Sequence, residues 1–68
     1  MNKKFQERIK ELRLQNDMSQ MELAKATGIS QSAIAKWELG KTEPTATASV
    51  TLARFFGETT DYLLGASE

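Results

Sequence analysis

Apolar residues in this chain recur at helical intervals and never alternate. Phe5, Ile9 and Leu12 fall at i, i+4 and i+7, which predicts a first helix over about 3–15. Asn16 and Asp17 break it. Ser19 can accept a bond from a first-turn N–H, and Glu22 three residues later completes a capping box, so a second helix begins there. Its apolar positions are Met21, Leu23 and Ala24, with Ala26 at the margin. It stops at Gly28, which tolerates positive φ. Ile29 follows as a buried plug. Ser30 then caps a third helix whose inner side is Ala33, Ile34 and Trp37. Gly40 stands where a left-handed C-cap is least strained. Pro44 cannot continue a helix and disfavours helical geometry at Glu43, so 40–44 is a turn. Thr45 caps a fourth helix, about 46–56, with Val50, Ala53 and one or both of Phe55 and Phe56 facing inward. Gly57 ends it. Thr59 or Thr60 caps a short fifth helix holding Tyr62, Leu63 and Leu64, closed by Gly65. The expectation is an all-α fold: one domain over 1–68, a compact bundle of five short helices.

The third helix raises a question that its apolar stripe does not answer. In "ISQSAIAKWELGK" the outer side carries Gln31, Ser32, Ala35 and Lys36. A solvated face more often holds Glu and Lys in mixed pairs. This one is small, amide-bearing and singly basic.

Composition narrows the answer. Twenty-seven of 68 residues are hydrophobic, but eight of these are alanine, so the core is modest and stability marginal. Without Cys there is no disulfide framework and no thiolate metal site. Without His the commonest general base and metal ligand are missing. No Gly-rich phosphate loop and no metal-ligand cluster is present. No enzyme activity, metal, cofactor or small-molecule ligand is therefore expected. No apolar run approaches the roughly 20 residues that span a bilayer, and "MNKKFQERIK" lacks a signal-peptide core. No membrane association and a cytoplasmic location are expected. Net charge is zero, yet it is polarised. Residues 1–41 hold eight of the nine basic groups against five acidic ones, for a net of +3, and residues 42–68 carry −3. Ordinary scatter in a short chain is the alternative account of that asymmetry.

Only Thr27 to Ser30 join the second and third helices, and so short a joint with Gly inside makes them cross steeply. "SQMELAKATGISQSAIAKWELGKTEP" carries Gln20, Leu23, Ala24, Gly28, Ile29, Ser30, Ile34, Trp37, Glu38, Gly40 and Pro44 at fixed offsets. This closely resembles the phage-repressor and Cro-type (XRE-like) helix-turn-helix family, with the motif at about 20–39. "FQERIKELR" resembles the family's first helix and "LARFFGETTDYLLG" its fourth and fifth. Two departures stand out. The family usually has bulky aliphatics near Ala46 and Ser49, where "TATAS" is small and polar, which predicts a late start or a loose first turn for the fourth helix. The recognition surface also has fewer basic groups than many relatives.

The resemblance implies a lambda-repressor-like domain whose third helix lies in the major groove of double-stranded DNA. It makes Gln31, Ser32, Ala35 and Lys36 the base-contacting residues. The chemistry suits them: a Gln amide can bond adenine N6 and N7, Lys can donate to guanine, and a methyl can meet a thymine methyl. The alternatives are first-turn capping for Gln31 and Ser32 and plain solvation for Lys36. The resemblance also makes Ser19, Gln20, Lys41 and Thr42 phosphate contacts, helped at Gln20 by the N-terminal dipole of the second helix. A solvated loop is the alternative at Lys41 and Thr42. Arg13 lies at the edge of the first helix's apolar stripe and Glu38 at the edge of the third's, both facing one core, and with the resemblance this implies a partly buried ion pair; two solvated charges are the alternative. The function implied is a transcriptional regulator, a repressor acting as a homodimer on a palindromic operator, with a dimer interface near Tyr62, Leu63 and Leu64. The same fold also serves antitoxins and switch proteins whose partner is another polypeptide. An acidic surface around Glu58, Asp61 and Glu68 would favour that role.

Overall fold

A computed structural model describes residues 4–65. The expected helical residue Lys3 and the acidic Glu68 lie outside the described residues. Among the described residues all regular structure is helical: α1 (Phe5–Gln15), α2 (Gln20–Thr27), α3 (Gln31–Glu38), α4 (Ala46–Phe56) and α5 (Thr60–Leu64). α1 packs on α3 and α5, α2 on α3 and α4, and α4 on α5.

Local chemistry fixes the helix starts. The Ser19 hydroxyl accepts from the Glu22 N–H at 3.1 Å, and the Ser19 N–H donates to Glu22 Oε1 at 2.8 Å, a complete capping box. The bond from the Ser19 N–H, with the Ser19 hydroxyl beside it, holds the exposed Glu22 carboxyl below its ordinary pKa. Ser30 caps α3 through the Ala33 N–H at 3.1 Å, Thr45 caps α4 through Ala48, and Thr59 caps α5 through Tyr62. α3 ends in a Schellman turn. The Lys41 N–H reaches the Lys36 carbonyl at 2.9 Å and the Gly40 N–H reaches that of Trp37 at 3.0 Å. Gly40 sits at φ 74°, so the backbone there favours glycine; a Cβ would stand 2.7 Å from Gln6 Oε1, the end of a flexible side chain that can move aside.

Ile9, Leu12, Leu23, Ala24, Ile34, Trp37, Leu52, Ala53 and Leu63 form one core drawn from all five helices. Phe5 meets Trp37 edge-on at 5.5 Å between ring centres. Ile29 and Phe56 pack against the core, half-buried.

The expected core positions Met21, Ala26 and Val50 are corrected, and of Phe55 and Phe56 only Phe56 faces inward. Met21 is exposed, and so is Ala26, because the buried side of α2 is defined by Leu23 and Ala24 with Gln20 and Thr27 half-buried in line. Met21 lies about 100° off that line. Val50 is also exposed, as is Phe55, because α4 turns Ser49, Leu52 and Ala53 inward instead. The buried Ser49 hydroxyl is satisfied by donating to the Thr45 carbonyl at 2.9 Å. α4 does not start late. Its first turn does border an open groove of about 820 Å³, lined by Phe5, Trp37, Ala46, Ser49, Val50 and Leu64.

Candidate nucleic-acid interface

α3 has two opposed sides. Ile34 and Trp37 are buried, while Gln31, Ser32 and Lys36 are exposed and Ala35 is half-buried between them. The outer side therefore brings an amide, a hydroxyl, a methyl and one ammonium group onto a single surface. None of these four is needed by the core, and the cap of α3 is Ser30, not Gln31 or Ser32.

The inner side is fastened by a polar brace. Arg13 Nε donates to Glu38 Oε2 at 2.8 Å and Nη2 to Oε1 at 2.9 Å, a two-pronged pair. The Arg13 and Glu38 side chains are only 10% and 6% exposed. Arg13 Nη1 donates to the Met18 carbonyl at 2.8 Å, tying the turn after α1 to the same point. Gln20 Nε2 donates to Glu38 Oε1 at 3.1 Å. One carboxylate at the end of α3 thus gathers α1 and the first residue of α2. Burial disfavours the charged form of Glu38. Hydrogen bonds from Arg13 and Gln20, with the charges of Arg13 and Lys10, outweigh burial and hold its carboxyl below the ordinary value. The hydrogen bond to Glu38 raises the Arg13 pKa against the opposing effect of burial.

The residues expected to meet phosphates divide into two groups. Ser19 and Gln20 stand at the start of α2, beside first-turn N–H groups. Gln20 spends one amide hydrogen on Glu38, which leaves the second for an outside acceptor. Lys41 and Thr42 are exposed in the loop after α3. Lys36 and Lys41 are joined by the backbone bond of the Schellman turn, so both cations lie at the C-terminal end of α3.

The expected dimer cluster is not one surface. Leu63 is fully buried in the core and unavailable to a partner, which corrects its assignment. Leu64 is exposed, and the Tyr62 ring is half-buried beneath the Arg8 guanidinium, 3.9 Å from its centre. Adjacent residues of a helix point about 100° apart, so a run of three apolar residues cannot all face one way. The pairing of buried Arg8 with Tyr62 escaped the sequence reading, where Arg8 enters only in the count of basic groups. So did the Gln20 bond to Glu38.

A family model described as helix-turn-helix matches residues 9–63. A protein named HTH-type transcriptional activator BcrR, from Enterococcus faecalis, is 36% identical over 64 residues. The match takes in 94% of this chain and 31% of the relative. The SPbeta prophage-derived uncharacterized HTH-type transcriptional regulator YonR, from Bacillus subtilis, is 37% identical over 60 residues, 88% of this chain and 56% of that protein. The chain spans from just under a third to somewhat more than half the length of these relatives. No solved structure matches.

Proposed function

Since the chain belongs to the XRE-type helix-turn-helix family of transcriptional regulators, we propose that it binds double-stranded DNA sequence-specifically as a cytoplasmic regulator. The carrying observation is the outer side of α3: Gln31, Ser32 and Lys36 exposed, Ala35 allowing close approach, and the opposite side locked into the core. In this reading α3 enters the major groove with those four residues against base edges. Ser19, Gln20, Lys41 and Thr42 hold the flanking phosphates. The Arg13–Glu38–Gln20 brace sets the angle between the groove-entering helix and the phosphate-holding one.

One such helix reads only a few base pairs, too little for selection in a genome. Two copies on a palindromic operator, one helical turn apart, multiply the discrimination. The partner contact is assigned to the α5 region through Leu64 and the rim of Tyr62. The sign proposed is repression, because occupying an operator is sufficient to block it. A promoter fused to a reporter, with and without the protein, decides the sign. Enhanced transcription would place the chain with the relative named as an activator.

Salt dependence of duplex binding tests the core of this reading. Lys41 and its dimer mate supply the two cations set on phosphates, and each neutralised phosphate contributes about −0.9 to the slope of log affinity against log salt. A slope of about −2 is expected. A flat response would overturn DNA binding as the main function.

A further inference from the structure

Leu39 is 68% exposed, the most exposed large apolar side chain among the described residues. The core does not use it, and the Schellman turn that ends α3 is built from the backbone of Lys36, Trp37, Gly40 and Lys41. Isolated exposed leucines are ordinary. The position of this one is not arbitrary. Leu39 keeps helical backbone angles (φ −86°, ψ −5°), so its side chain follows the periodicity of α3. Seven residues at about 100° each bring it to within about 20° of Ser32 around the helix axis. Ala35 and Lys36 flank that line on either side, so Ser32, Ala35, Lys36 and Leu39 form one continuous outer stripe. Ile34 and Trp37 lie on the other side, buried. Leu39 also stands between two exposed lysines, Lys36 and Lys41. A polyanion drawn to those two cations is held against it.

We propose that Leu39 is a specificity-determining residue that covers a thymine 5-methyl group at the edge of each half-site. The proposal rests on the reading of α3 given above. Thymine is the base that offers an apolar group in the major groove, and its methyl is the feature an aliphatic side chain recognises. Leu39 has no hydrogen-bonding capacity, so it cannot select any other base by polar contact. At seven residues beyond Ser32 it sits about 10 Å further along the helix. The thymine it meets therefore lies away from the bases reached by Gln31 and Ser32, toward the groove wall.

The experiment uses an operator selected from random duplexes, with each thymine replaced in turn by uracil, which removes the methyl and nothing else. Affinities are measured for the wild type and for Leu39→Ala, alongside thermal unfolding. We expect one thymine per half-site at which uracil weakens wild-type binding about fourfold, the value of one buried methyl group. At that position Leu39→Ala should be indifferent to uracil, with its unfolding midpoint unchanged. A second uracil-sensitive thymine that persists in the variant is the one met by Ala35, and it leaves the assignment of Leu39 standing. Identical uracil scans for both proteins would overturn the inference while leaving DNA binding intact. An unchanged scan with altered self-association would overturn it too, by making Leu39 a protein contact. A wild type that binds no duplex overturns the reading of α3 itself, and the inference with it.

Discussion

Residues 19–41 and residues 42–65 are both helical, but they are held in different ways. A Schellman turn ends a helix in each, at Gly40 and at Gly57, but only the first segment carries a complete capping box and a buried carboxylate that receives three side-chain donors. Its orientation is fixed by directional bonds as well as by packing. The second segment is held by Leu52, Ala53 and Leu63, with Phe56 and Tyr62 half-buried around them. Its first turn borders an open groove, and Val50, Phe55 and Leu64 face out. Apolar burial is strong but tolerant of angle. The difference fits a division of labour: the segment that must present a helix at a set angle is the one with polar fastening. Such fastening is valuable for specifying geometry even where it adds little net stability.

The sharpest way to break this contrast is to cut the brace. Arg13→Met strands the Glu38 carboxylate, and Glu38→Leu strands the Arg13 guanidinium. Each single change should cost about 3–5 kcal/mol by urea unfolding. The double variant should recover much of that loss, because no buried charge is left unpartnered. Small, additive losses would mean that the pair is no tighter than an exposed one, worth about 0–1 kcal/mol. Duplex binding by the double variant separates stability from angle. A folded double variant with weakened binding would show that the brace orients α3.

The second segment is probed by opposing two residues of α4. Leu52 has no exposure and Val50 is 40% exposed. Leu52→Ala should cost about 2–5 kcal/mol, the usual range for emptying a core leucine. Val50→Ala should stay within about 1 kcal/mol, since its side chain is only partly buried and alanine is the better helix former. Equal losses would mean that α4 is rolled toward the face that the sequence suggested.

Acid unfolding sharpens the contrast further. The folded pKa of Glu38 lies below its unfolded value, so its contribution is complete above the ordinary carboxylate range near pH 4.3. It is lost as pH falls through the folded value. Glu22 is shifted in the same direction but is exposed. Unfolding midpoints followed from pH 7 down to pH 2.5 should therefore fall, and Glu38→Gln should flatten that fall more than Glu22→Gln does. The reverse ranking would make the helix cap, not the brace, the acid-sensitive element.

These contrasts also explain what could be read from the sequence. Caps and glycine stops are local chemistry, and they placed α2 to α5 close to their observed limits, while apolar spacing and the Asn16–Asp17 break placed α1. The helix-turn-helix was legible because its residues occur at fixed offsets in one short segment. The inward face of α4 was not. In "VTLARFF" five of seven residues are apolar, so spacing alone cannot choose between Val50 and Leu52, and the neighbouring helices decide. A buried Ser49 gives no signal at all, since its hydroxyl is satisfied within its own helix. Arg13 and Glu38 are 25 residues apart, and nothing in their separation joins them; their places at the edges of the apolar stripes of α1 and α3, together with the family resemblance, did. The Gln20 bond to Glu38 and the stacking of Arg8 on Tyr62 are tertiary contacts of side chains that look like ordinary surface groups in one dimension.

The smallest expected effect concerns the turn that leads into the braced segment. α2, α4 and α5 end on a glycine in left-handed conformation and α3 one residue before Gly40, but α1 leaves through Asp17 at φ 55°, the one non-glycine residue at positive φ among those described. The turn works: the Asp17 N–H reaches the Leu14 carbonyl at 3.0 Å, and the Met18 N–H reaches that of Arg13 at 3.0 Å. It also aims the Met18 carbonyl at Arg13 Nη1, so the brace depends on it. Two features of Asp17 work against it. A side chain in this conformation is strained, though less for Asp and Asn than for most residues. A negative charge just past a helix C-terminus also opposes the macrodipole, by about 0.3–1 kcal/mol at an exposed position. Asp17→Asn removes the charge and keeps the tolerance, so a gain of a few tenths of a kcal/mol is expected. Asp17→Gly removes both penalties but gives the unfolded chain more freedom, a loss of about 0.5–1 kcal/mol that offsets much of the gain. A stabilisation of about 0.5 kcal/mol should raise the melting temperature by about 2–4 °C in a domain of this size. Asp17→Val should move it the other way, because a branched side chain is badly strained at positive φ. Scanning calorimetry in low and high salt separates the two penalties. The advantage of Asn should shrink in high salt, which screens the charge against the macrodipole, while the strain relieved by Gly should persist. Equal melting temperatures for all four proteins would mean that the turn relaxes freely and that the brace does not rely on its shape.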